Sequence, residues 1–145
     1  MDVSHWSDVS GETPFEWLQD ALSTLGLVDA LLDQAAAAIV SERVQQAFVN
    51  GDPRVWCLDL ARITSSYSTA RIAITDIAPT NAEEVYLIIE PDYGKLAICS
   101  VILTLVPSII GEMPGVEYHV LPKDLSWMIS ETEHDMLIAS RPKDT

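Results

Sequence analysis

The sequence predicts an α+β fold, with N-terminal helices packed on a mostly antiparallel sheet in a single domain. Three observations lead there. Apolar residues recur at helical spacing up to Asn50, after which most apolar runs become short and rich in β-branched residues. Turn-forming clusters (Asn50-Gly51-Asp52-Pro53, Pro79-Thr80-Asn81 and Pro91-Asp92-Tyr93-Gly94) punctuate the chain from there on. A length of 145 residues with 48% hydrophobic content suits one core, and no repeat or linker divides it.

The first helix is announced by Thr13-Pro14-Phe15-Glu16. Thr13 can cap, Pro14 suits the first helical position and Glu16 completes a capping box. Phe15, Leu18, Leu22 and Leu25 then share a side, and Gly26 is placed to stop the helix. A second helix is expected from about Leu27, with Val28, Leu31, Leu32, Ala35 and Ile39 as its apolar stripe. The stripe moves after Ile39 to Val40, Val44, Ala47 and Phe48, which predicts a break near Ser41 or a helix covered on two faces.

Strands are expected over 54–63, 71–77 and 84–90, all dense in Val, Ile, Leu, Trp or Tyr. The hydroxyl-rich Ser65-Ser66-Tyr67-Ser68-Thr69 reads as a loop between them. Over 96–110 the two periodicities compete, since Ile98, Val101, Ile102, Leu105 and Ile109 are spaced like a helix face but are largely β-branched. A buried helix over about 97–106 is favoured, ending before Pro107. The tail reads as a meander of strands at 116–121, 126–130 and 136–139, with Trp127 in the core and Glu131-Thr132-Glu133-His134-Asp135 as a hairpin tip. Residues 1–12 read as a mobile acidic leader and 141–145 as a mobile tail.

Charge is the compositional feature that stands out. With 22 acidic and 8 basic residues the net charge is −14. Binding a phosphate backbone needs clustered Lys and Arg, so nucleic acid is disfavoured as a direct partner. Eight acids precede the first basic residue, Arg43, which suits an electrostatic lure for a cationic protein as well as simple solubility. The longest uncharged run, 96–110, is too short and too interrupted to cross a membrane. The start of the chain lacks the basic and apolar regions of a secretory peptide, and Cys57 and Cys99 sit among apolar neighbours. Reduced, buried thiols and a cytoplasmic location are the expectation.

Chemistry is sparse. No HExxH, CxxC, GxGxxG, GxxxxGK[ST] or GxSxG is present, and no cofactor or metal is expected. His5 has only Trp6 and Asp8 near it, while His119, on a strand between Tyr118 and Val120, reads as a structural histidine. His134, flanked by Glu131, Glu133 and Asp135, is the best acid–base candidate, although a solvated hairpin tip explains the same residues. Trp6 and Trp17 lie in acidic surroundings where an exposed aromatic would favour an interface, or the two rings cover each other.

Val116-Glu117-Tyr118-His119-Val120, Asp124-Leu125-Ser126-Trp127-Met128-Ile129 and His134-Asp135-Met136-Leu137-Ile138-Ala139 together resemble the ending of small acidic bacterial proteins like the immunity proteins of polymorphic toxin systems. The resemblance covers the C-terminal third and implies a non-enzymatic protein that binds and blocks a toxin domain. The partner expected on these grounds is a basic protein, such as a toxin domain. The residues expected to meet it are Trp6, Asp8, Glu12, Glu16, Trp17, Asp20, Glu131, Glu133, His134 and Asp135. The alternatives are a phage-type or regulatory inhibitor that imitates the charge of nucleic acid, and a small enzyme with its site near Glu131 and His134.

Overall fold

Two helical layers enclose one six-stranded sheet. The computed structural model describes residues 13–53, 56–69, 73–78, 83–90, 96–113, 116–132 and 136–143. The strands are β1 (Ile63–Ser68), β2 (Glu84–Glu90), β3 (Ala97–Ile102), β4 (Glu117–Pro122), β5 (Met128–Glu131) and β6 (Met136–Ser140). Their spatial order is β1-β6-β5-β4-β2-β3, and every neighbouring pair is antiparallel. The fold is a single α+β domain, as the sequence predicts.

Helix α1 (Pro14–Thr24) starts as its capping residues dictate. The Glu16 N–H donates to the Thr13 hydroxyl oxygen, and Pro14 opens the first turn. It ends in a Schellman closure, in which the Gly26 N–H donates to Ser23 O and the Leu27 N–H to Leu22 O. Gly26 takes φ +73, a conformation in which a Cβ would be strained. Leu18, Ala21 and Leu22 are buried against β2 and β3, in one core with Leu87, Val120, Ile129 and Leu137.

The second helix departs from expectation. Val28–Ala30 is a 3₁₀ turn, and Leu31 and Leu32 are extended alongside β3, where the Leu32 N–H donates to Ile98 O. Helix α2 (Gln34–Phe48) begins only after Asp33, whose carboxylate accepts the Ala36 N–H at 2.8 Å. It runs unbroken past Ser41. Ala37, Val40, Val44 and Phe48 face the core on the other side of the sheet, while Ile39 is 63% exposed. The apparent shift of stripe arises because Leu31 and Leu32 are not helical at all.

Three other expectations are corrected, the first two by the pull of distant partners and the third by a local cap. Within 54–63, Trp56–Leu58 is a 3₁₀ turn rather than strand, because the Trp56 N–H is captured by Glu90 on β2. Residues 65–69, expected as a loop, mostly form β1, which adds to β6 some 75 residues away. Ile74–Ile77, expected as strand, is a single helical turn, α3, with the Ala73 N–H held by the Asp76 carboxylate.

The ambiguous segment 96–110 divides. Its first part is strand β3, paired throughout with β2, and helix α4 (Val106–Gly111) follows a 3₁₀ turn. The favoured helix over 97–106 is therefore wrong. Pro107 lies in the first turn of α4, where its missing N–H is not needed. Trp127 is half-buried at the rim of the core rather than enclosed in it. The tail expected to be mobile from residue 141 is bonded as far as 143: the Arg141 N–H donates to Arg62 O, and the Lys143 N–H to Ala47 O.

Candidate functional site

Two features collect the residues that carry charge or chemistry. The first is the outer surface of the α1 layer. Once Leu18, Ala21 and Leu22 turn inward, helical geometry puts Glu16 and Asp20 outward, one turn apart, and both are exposed. The short helices α3 and α4 share this layer, since Ile74, Val106 and Ile109 join the same core. They add exposed Asp76 and Glu112. None of the described residues of these three helices is Lys or Arg. Trp17 is half-buried within this surface, and its backbone N–H donates to Thr13 O in the first turn of α1.

The described basic residues lie elsewhere. Arg43 is on α2, and Arg62, Arg141 and Lys143 gather where the chain beyond β6 runs along the end of that helix. Lys123 lies 4.3 Å from the centre of the Tyr86 ring, on the α2 side of the sheet, and 3.1 Å from the Glu84 carboxylate. That contact, with its hydrogen bond first and its charge second, holds the Glu84 carboxyl below the usual carboxylate range. Among the described residues, the sheet thus separates a helical layer whose charges are acidic from a mixed one.

Of the expected partner-binding residues, Glu16, Trp17 and Asp20 come together on α1. Glu131 lies on a different element. It ends β5, two strands from β2, and accepts the Tyr118 hydroxyl at 2.6 Å. Burial of Tyr118 and this carboxylate push the phenol well above its ordinary range. Trp6, Asp8, Glu12, Glu133, His134 and Asp135 lie outside the described residues.

The second feature is a buried polar line on the α2 side of the sheet. His119 Nε2 lies 2.6 Å from Glu90 Oε1, and Nδ1 lies 2.7 Å from the Ser130 hydroxyl. The other Glu90 oxygen accepts the Trp56 N–H at 2.9 Å, and the Trp56 ring tilts over the imidazole with centroids 5.0 Å apart. A neutral His119 satisfies the whole line, with Nε2–H donating to Glu90 and Ser130 O–H donating to Nδ1. The residue types are those of a hydrolytic triad, but His119 and Ser130 are both 0% exposed. A substrate has no approach to that hydroxyl, so the line fastens the Trp56 turn to β2, β4 and β5. Cys57 sits over it. Burial first, then the carboxylates of Glu117 and Glu90, push its thiol up to about 12, which makes it a poor nucleophile.

Sequence reasoning found His119 and read it as structural, but missed its partners. The signal was there: Glu90 and His119 fall on positions of β2 and β4 that share the inward face of Ile88 and Leu121. An inward-facing charged residue in an apolar strand requires a partner.

A cleft of about 410 Å³ also opens between α2, the Gly51 turn and Lys143. Its amides are already engaged, Gln45 with Gly51 O and Asp52, and Gln46 with Glu42. Among the described residues no group of three or more His, Cys, Asp or Glu could hold a metal, and no helix is long and apolar enough to cross a membrane. No family model, curated protein or solved structure matches the chain.

Proposed function

We propose that this protein is a non-enzymatic, cytoplasmic, immunity-type inhibitor that neutralises a basic protein partner, such as a toxin domain, through its acidic α1 layer. The observation that carries this reading is the segregation of charge across the sheet. Exposed Glu16, Asp20, Asp76 and Glu112 stand on a layer whose described helical residues include no Lys or Arg. A surface of one sign attracts a partner of the other and speeds encounter, while a half-buried aromatic within it resists dissociation. Trp17 stands in that position. The sealed Glu90–His119–Ser130 line supports the same reading, because its most suggestive polar groups are occupied in holding the fold.

The test is recovery of the partner from the native host, followed by binding kinetics. Replacing Glu16 and Asp20 by Lys is expected to slow association about tenfold at low salt and to flatten its salt dependence. Trp17→Ala is expected to raise chiefly the dissociation rate, with circular dichroism confirming that α1 remains folded. Recovery of an acidic partner, or binding indifferent to salt, would remove the electrostatic basis of the proposal.

A further inference from the structure

We draw no further inference here: the strongest candidate, the outer edge of strand β1 at the end of the sheet, exposes Ile63, but nothing in the structure shows what covers it.

Discussion

Glu90 is the residue whose removal best tests the role of the buried line. It is 8% exposed and accepts two hydrogen bonds, from the Trp56 N–H at 2.9 Å and from His119 Nε2 at 2.6 Å. Glu90→Ala leaves both donors buried without a partner. Each orphaned donor costs about 1–3 kcal/mol, so the variant should lose about 3–5 kcal/mol. For a chain of this size that corresponds to a fall of roughly 10 °C in Tm. Glu90→Gln behaves differently. Its amide oxygen accepts the Trp56 N–H, its NH₂ donates to His119 Nε2, and the imidazole answers by donating Nδ1–H to Ser130. The Trp56 N–H and both imidazole nitrogens stay satisfied, and the unfavourable register of Glu90 opposite Glu117 loses one charge. The Gln variant should therefore stay within about 1 kcal/mol of the parent. Urea denaturation followed by far-ultraviolet circular dichroism measures both. A loss below about 1 kcal/mol for Glu90→Ala would show that the line does little to hold the fold. Equal losses for the two variants would show that the charge, and not the hydrogen bonding, carries the effect.

Two further predictions concern the thiols and the rim of the core. Burial raises Cys57 and Cys99 from 9.0 to about 12, so the folded state holds these protons more tightly than the unfolded chain. Their contribution to stability is complete below pH 9.0 and is lost as pH rises towards about 12. Native protein should alkylate slowly with iodoacetamide at mildly alkaline pH and rapidly in denaturant; comparable rates in the two states would contradict the burial. Trp127→Ala is expected to cost about 2 kcal/mol by chemical denaturation, short of the loss from an enclosed aromatic, because the ring is half-buried. A loss near 5 kcal/mol would place Trp127 inside the core after all.

The placement of the candidate surface was only partly legible. The acidic run before Arg43 pointed to α1, where Glu16 and Asp20 stand at i and i+4 and so share a side. That Asp76 and Glu112 share the same layer could not be read, because α3 and α4 join it through Ile74, Val106 and Ile109, which pack on strands far away in sequence. Glu131 looked equivalent to the other acids of the hairpin, yet β5 pairs with β4 so that its carboxylate meets Tyr118.

What the sequence determined by itself is the set of features built from atoms a few residues apart. The Thr13 cap, Pro14 at the first position, the Gly26 stop, the strand at 84–90 and the three-strand meander at the end all derive from local sterics, capping and alternation. Tertiary structure decided every segment whose backbone had two acceptable conformations. Ala97–Ile102 is a strand because β2 offers it a hydrogen-bonding partner, and Ile63–Ser68 is a strand because β6 does. Trp56 turns away from extended backbone because a carboxylate 34 residues distant accepts its N–H. Local propensities differ by about 1 kcal/mol between such states, whereas an unmet buried hydrogen bond costs about 1–3 kcal/mol, so the distant partner prevails.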